Sequence, residues 1–229
     1  MNGKTLVLCD FDGTISARDV GHEVIKRFMD GDWLEIDEAY AAGKIGSMAA
    51  YQRIASLLKV SREEMEEYTS SISGMDPHFR EFHRFCRDRG YEIKIVSDGL
   101  DFYIDFILKR YGFEDIEFHS NIIRFHENRS VTIEFPQYNK ECAKCGTCKS
   151  LLLQQYRRHY DTIVYIGDGY SDVCPSQYAD LVFGKDILYE KCLRKERACI
   201  YYRNFKDVRE ILEKDPCFVS GGRKSRAVL

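Results

Sequence analysis

The chain has 229 residues, 44% of them hydrophobic and 31% charged, with 34 basic against 37 acidic side chains. That length and balance suit one large domain, or a core carrying an insertion, and exclude fibrous, collagen-like and disordered chains. A net charge of −3 gives no general attraction to nucleic acid or an anionic membrane, no apolar run approaches the roughly 18–20 residues that span a bilayer, and no secretory signal precedes the first strand-like run, so a cytoplasmic protein is expected.

In chain order, residues 5–9 form an apolar, β-rich run ending at Asp10, the pattern of a parallel strand buried on both faces. From about Asp19 to Ser73 only helical periodicity is present, broken by Gly31, Gly43 and Gly46 and by the capping-box pattern that begins at Ser61. An all-helical insertion directly after the first strand reads as a cap subdomain over 17–75, with Val24, Ile25, Phe28, Ile54, Leu57 and Leu58 forming its own small core. A helix over 77–89, a second strand over 92–96 and a helix over 100–111 follow. Two β-like runs, 118–125 and 130–135, then predict a hairpin, and a Cys-rich loop completes the stretch 117–148. A helix over 149–160 leads to a third buried strand at 162–166, short strands at 181–183 and 199–201, and a helix over 205–214. The alternation predicts an α/β fold, a doubly wound Rossmann-like parallel sheet built from 1–16 and 76–219. Residues 220–229 are expected to be a flexible tail.

Chemistry concentrates where the buried strands end. Asp10-Phe11-Asp12-Gly13-Thr14 places two carboxylates at the end of the first strand, where open α/β sheets bind ligands. A turn-forming role would explain one of these acids, not both. The third strand ends alike, in Gly167-Asp168-Gly169-Tyr170-Ser171-Asp172. Acids converging from neighbouring strands are costly unless a cation joins them, and hard carboxylate oxygens suit Mg²⁺. The second strand ends in Ser97-Asp98-Gly99, a hydroxyl and a loop whose amides can donate to phosphate, although Ser-Asp-Gly is also a common turn. Lys149 opens a helix and on its own would be read as solvated.

Together, in this order, these four patches resemble the haloacid-dehalogenase-like phosphatase superfamily, and the helical insertion resembles its phosphoserine phosphatase-like subgroup. The resemblance implies a Mg²⁺-dependent phosphomonoesterase acting on a small phosphorylated metabolite through an aspartyl-phosphate. It casts Asp10 as nucleophile and Asp12 as general acid/base. Ser97, Gly99 and Lys149 would bind phosphate, and Asp10, Asp12 (through its carbonyl), Asp168 and Asp172 would surround the metal. Within the superfamily the chain resembles both the methionine-salvage 2-hydroxy-3-keto-5-methylthiopentenyl-1-phosphate phosphatases and the phosphoethanolamine/phosphocholine phosphatases. Asp98, with Asp19, would favour an amine-bearing substrate; the alternative is that both acids cap helices. A phosphoserine-type phosphatase, a phosphotransferase and a non-catalytic phosphate sensor are the remaining readings.

Nine cysteines without an export signal argue for reduced thiols rather than a disulfide framework. Cys142, Cys145 and Cys148 are spaced as three ligands of a tetrahedral Zn²⁺ site that needs a fourth; reduced loop thiols or a redox-labile pair are the alternatives.

Overall fold

A computed structural model describes residues 3–29 and 33–214. The strands are β1 (Thr5–Cys9), β2 (Glu92–Leu100), β3 (Phe118–Phe125), β4 (Val131–Glu134), β5 (Thr162–Gly167), β6 (Leu181–Gly184) and β7 (Ile200–Tyr201). Among the described residues they form one seven-stranded sheet in the order β4-β3-β2-β1-β5-β6-β7, parallel except for β4, which pairs antiparallel with β3 as a hairpin. This is the doubly wound α/β sheet that the alternating pattern predicts.

β1 shows why both sheet faces must be covered. All five of its residues are buried, and successive side chains point to opposite faces. Leu6 and Leu8 pack with Leu152 and Leu153 of α7 (Lys149–Tyr156), whereas Val7 and Cys9 join the larger cluster on the other face. That cluster takes in Phe79 and Phe82 of α5 (Phe79–Asp88), Ile104 and Ile107 of α6 (Asp101–Tyr111), and Phe205 and Val208 of α9 (Phe205–Lys214). The ring of Phe205 lies 5.0 Å from that of Phe79 and 4.9 Å from that of Phe82, locking the last helix onto α5.

Two elements differ from the sequence reading. β2 runs on to Leu100, with a break in its pairing to β3 between Val96 and Leu100, and Ser97, Asp98 and Gly99 occupy that irregular stretch. Helix α7 stops at Tyr156, because the chain then turns to bring the amides of Asp161 and Thr162 to the Lys4 carbonyl, at 2.9 and 3.2 Å, and so starts β5 beside β1. A further helix, α8 (Asp186–Arg194), lies between β6 and β7.

Between β1 and α5 lie four helices, α1 (Val20–Phe28), α2 (Trp33–Ala41), α3 (Ser47–Leu57) and α4 (Arg62–Ile72). The capping box forms: the Glu64 amide donates to Ser61 Oγ at 3.2 Å and the Ser61 amide to Glu64 Oε2 at 2.8 Å. The expected separate core does not form. Val24, Ile54 and Leu58 belong to the same continuous cluster as Val7 and Ile95 of the sheet, Ile25 and Phe28 pack against it, and Leu57 is 45% exposed. These helices of nine to eleven residues bury their apolar sides against the larger body as well as against one another. The hairpin grips them as well, through the Val60 amide on the Arg129 carbonyl at 2.9 Å and the Arg129–Glu64 ion pair at 2.8 Å. No helix among the described residues is long and apolar enough to cross a membrane. The expected tail at 220–229, the core's last residues 215–219, and Gly31 lie outside the described residues.

Candidate active site

The strand order reverses at β1: successive strands step outward from it to β4, and β5 then returns to its other side. Open sheets bind ligands at such a reversal, beyond the strands' carboxyl ends. Cys9 pairs with Ile95 of β2 and with Ile166 of β5, and the Asp10 amide donates to the Ile166 carbonyl at 2.9 Å. Asp10, Ser97 and Asp168 therefore leave three adjacent strands side by side. In the turn after β1, Gly13 has φ +67°, and a Cβ there would stand 2.5 Å from Asp168 Oδ2. Only glycine lets the two acidic loops approach so closely. Thr14 Oγ1 uses the same approach to donate to Asp168 Oδ1 at 2.7 Å.

Lys149 is not solvated: it is 3% exposed, and its Nζ lies 2.8 Å from Asp10 Oδ2 and 2.7 Å from Asp172 Oδ1. Burial disfavours its charge, yet the two carboxylates hold its pKa above the ordinary lysine range. Asp172 is fully buried and its acceptors are filled. Oδ1 takes Lys149 and the Tyr165 hydroxyl at 2.6 Å, and Oδ2 takes the amides of Asp168 and Gly169 at 3.0 and 2.9 Å. Burial opposes its ionisation, but Lys149 and these donors keep its pKa below the usual value. Asp172 thus ties the β5 loop to Lys149. Asp10 accepts the Phe11 amide on Oδ1 at 2.7 Å and Lys149 on Oδ2, which fixes its plane; burial and the nearby Asp172 raise its pKa.

Asp12 is held differently. Its Oδ1 accepts the amides of Val20 and Gly21, at 2.9 and 3.3 Å, from the start of α1, and its Oδ2 accepts the buried hydroxyl of Tyr103 on α6. Burial and the neighbouring Asp19 push its pKa up to about 8, against those hydrogen bonds. Ser97 is buried, accepts the Gly99 amide at 3.0 Å, and turns its hydroxyl toward a cavity of about 280 Å³. Asp10, Asp12, Ser97, Gly99 and Asp168 line one end of this cavity, and Trp33, Tyr40, Tyr51 and Ile54 of the helical insertion line the other. Three further acids, Asp19, Asp37 and Asp98, border it, and its lining contains no lysine or arginine among the described residues.

Asp98 and Asp19 part company here. Asp19 caps α1 by accepting the His22 amide at 2.8 Å. Asp98 caps nothing: its Oδ1 accepts Asn121 Nδ2 at 3.2 Å and the Thr147 amide at 2.9 Å, while its buried Oδ2 makes no well-formed hydrogen bond among the described residues, although the Ser47 hydroxyl stands beside the carboxyl and helps hold its charge. Thr147 belongs to the Cys-rich loop, which also reaches α3 through the Gly146 amide on Ser47 Oγ at 3.1 Å. The loop therefore holds Asp98 and the insertion together.

Ligand atoms of Asp10, Asp168 and Asp172 lie within 4.8 Å of one another, the sole such group of three or more among the described residues. Oxygen donors of this kind, near a cavity that admits water, fit Mg²⁺. The zinc expectation is corrected on the same ground: Cys142, Cys145 and Cys148 do not converge, Cys142 being exposed and Cys148 buried beneath the loop. Burial and the Asp98 carboxylate push the Cys145 thiol up to about 12.

Asp168 allows a test of the metal. Burial and Asp172 raise its pKa from 3.8 to about 7, so the folded state holds this proton more tightly than the unfolded one. The associated stability is full below about pH 4 and is lost as pH rises toward 7. A divalent ion at the deprotonated site offsets that loss. MgCl₂ at a hundredfold excess over its dissociation constant is expected to raise the melting temperature by about 5–10 °C at pH 7.5 and by much less at pH 5. Equal increments at both pH values, read by differential scanning fluorimetry, would contradict metal binding at these carboxylates.

Tyr103, Tyr165 and Asn121 have no counterpart in the sequence reading. All three sit within regular elements where an apolar residue would fit equally well, and their role shows only in what they touch. Thr14 carried a signal, being the last residue of the first acidic motif.

A family described as "Putative Phosphatase" matches residues 5–192. The chain is 28% identical over 217 residues to a 2-hydroxy-3-keto-5-methylthiopentenyl-1-phosphate phosphatase of Brevibacillus brevis, covering 93% of this chain and 97% of that protein. It is 29% identical over 217 residues to the phosphatase of the same description from Geobacillus kaustophilus, covering 93% and 98%. Among solved structures, a substrate-bound phosphoserine phosphatase complex superposes with a TM-score of 0.69 at 23% identity, over 93% of this chain and 99% of that one. A phospho-aspartyl intermediate analogue of phosphoserine phosphatase gives 0.68 at 24%, over the same shares. At those identities the two structures speak to fold.

Proposed function

The chain belongs to the putative phosphatase family and is a hydrolase of the haloacid-dehalogenase type, and from there we propose that it is a Mg²⁺-dependent phosphomonoesterase working through an aspartyl-phosphate on Asp10. The observation that carries this reading is the buried Asp10–Lys149–Asp172 chain at the strand reversal, with Asp168 and Ser97 beside it. Asp10 attacks phosphorus in line; as its oxygen–phosphorus bond forms, the bond to the leaving oxygen breaks, and Asp12 passes that oxygen its proton. A carboxyl raised to about 8 is protonated near neutrality, as this step needs. Asp12, now ionised, next takes a proton from a water molecule whose oxygen attacks phosphorus. The bond to Asp10 breaks, and inorganic phosphate leaves. Ser97 and Lys149 would donate to the equatorial oxygens, and the Gly99 amide, which donates to Ser97 Oγ, would orient that hydroxyl. Asp10, Asp168 and the Asp12 carbonyl would hold Mg²⁺, which would supply the charge that lets an anionic nucleophile meet an anionic phosphate. Asp172, whose lone pairs are filled, orients Lys149 and the Asp168 loop.

The insertion over 17–75 serves as the cap that recognises the leaving group. A cavity bordered by acids and aromatic rings and lined, among the described residues, by no lysine or arginine suits a leaving group without a carboxylate, which disfavours phosphoserine. The names of the relatives support the methionine-salvage enol phosphate, whose tail is uncharged. The unpartnered Oδ2 of Asp98 favours a second reading, an amine-bearing ester such as phosphoethanolamine or phosphocholine, since an ammonium group there would satisfy the buried carboxylate. Phosphate release from these esters and from phosphoserine, with and without Mg²⁺, tests both. Mg²⁺-dependent turnover with the highest kcat/KM for the enol phosphate is the expected result. Preference for the amines would make Asp98 a cation subsite, and no release from any ester would overturn the assignment.

A further inference from the structure

We propose that Tyr103 is a positioning residue for the reaction, fixing the Asp12 carboxyl in the orientation from which it serves the leaving oxygen. The inference rests on the assignment of Asp12 as acid and base. Tyr103 stands on the first turn of α6, wholly buried, and its hydroxyl donates to Asp12 Oδ2. Its ring lies 6.1 Å from that of Phe11, the residue between the two aspartates. Without the hydroxyl, Asp12 would keep only the two α1 amides, both on Oδ1, and could turn about them.

Two glycines make room for the hydroxyl. A Cβ at Gly99 would stand 1.8 Å from Tyr103 Oη and 2.6 Å from Asp12 Oδ2, and one at Gly21 would stand 2.9 Å from Tyr103 Oη. Neither glycine has the positive backbone angle that requires one, so the close approach of this hydrogen bond is what their missing side chains permit. The bond joins three parts of the molecule at one carboxyl: the turn after β1, the first helix of the insertion, and α6 behind the phosphate loop.

A tyrosine that merely fills the core and one that orients the acid predict different kinetics for Tyr103→Phe. Loss of the hydrogen bond that orients the acid should lower kcat/KM on an alkyl phosphate about tenfold. On p-nitrophenyl phosphate, whose leaving group needs no proton, kcat/KM, which reports transfer to Asp10 and not the later hydrolysis, should fall less than about twofold. The same two substrates are measured for Asp12→Asn, and melting temperatures establish that each variant is folded. Combining Tyr103→Phe with Asp12→Asn should cost nothing beyond Asp12→Asn alone, because the tyrosine acts through that carboxyl. Equal losses on both substrates, no loss on either, or additive losses in the double variant would each overturn the proposal. If Asp12→Asn itself shows no dependence on the leaving group, the failure lies with the acid assignment rather than with Tyr103. Should Tyr103→Phe not fold, Gly21→Ala, whose methyl group would stand 2.9 Å from the same hydroxyl, must show the leaving-group split, and its absence overturns the proposal.

Discussion

Asp10→Asn is expected to lower phosphate release by at least about 10³-fold while the protein stays folded. The amide retains an oxygen for the Phe11 N–H, now at 2.7 Å, but its NH₂ cannot form a bond to phosphorus. Two effects on stability oppose each other. Lys149 loses one of its two carboxylate partners, and Asp172 and Asp168 lose a like-charged neighbour. The melting temperature should therefore move by only a few degrees, about 1 kcal/mol in either direction. Acid-quenched turnover analysed by mass spectrometry separates the nucleophile from a mere metal ligand. The unmodified protein should carry one phosphoryl group on Asp10 and the variant none, and a phosphorylated or fully active variant would refute the assignment.

Lys149→Met should have the largest effect on stability. Methionine fills nearly the same volume, so the change removes charge rather than packing. Asp10 and Asp172 are then buried without their shared cation, at a cost of about 3–5 kcal/mol at neutral pH. Turnover should fall by about 10²–10³-fold with the loss of a donor to the transferring phosphoryl group. The sign of the pH dependence follows from Asp172. Its folded pKa lies below the unfolded value, so its contribution is present above about pH 4 and is lost as pH falls through the folded pKa. Without Lys149, only the Tyr165 hydroxyl and the amides of Asp168 and Gly169 oppose burial, so the Asp172 pKa rises and the variant loses less stability than its parent as pH falls. Urea denaturation should therefore show the gap between the two proteins narrowing from pH 7 to pH 4.5. A gap independent of pH would mean that Lys149 stabilises by packing.

The buried parallel strands and the acids at their ends were readable because both follow local rules. A β-rich apolar run such as Leu6-Val7-Leu8, ending at an acid and followed by glycine, has the pattern of an interior strand. Asp10, Ser97 and Asp168 each follow such a run, and parallel pairing sends all three to one edge whatever the rest of the chain does. Boundaries were less legible where tertiary pairing outweighs local preference. β2 continues through Ser97-Asp98-Gly99, a sequence that by itself favours a turn, because Asn121 and Thr147 hold Asp98 from outside the strand.

Residue type and order along the chain thus determined the α/β architecture, the acidic edge and the resemblance to a phosphatase family. Tertiary structure alone decided what the isolated side chains mean. Lys149 reads as a surface lysine until Asp10 and Asp172 are brought against it. Asp98 and Asp19 read alike until one is left with an unpartnered oxygen and the other caps a helix. The three loop thiols read as metal ligands until the loop is seen to spend its amides on Asp98 and Ser47 and to leave its sulfurs apart. The physical reason is one of range. Strand and helix patterns are set by neighbours within a few residues, whereas the charge state and hydrogen bonding of a buried polar group depend on partners from distant segments, as Tyr103 and Asp12 show across 91 residues.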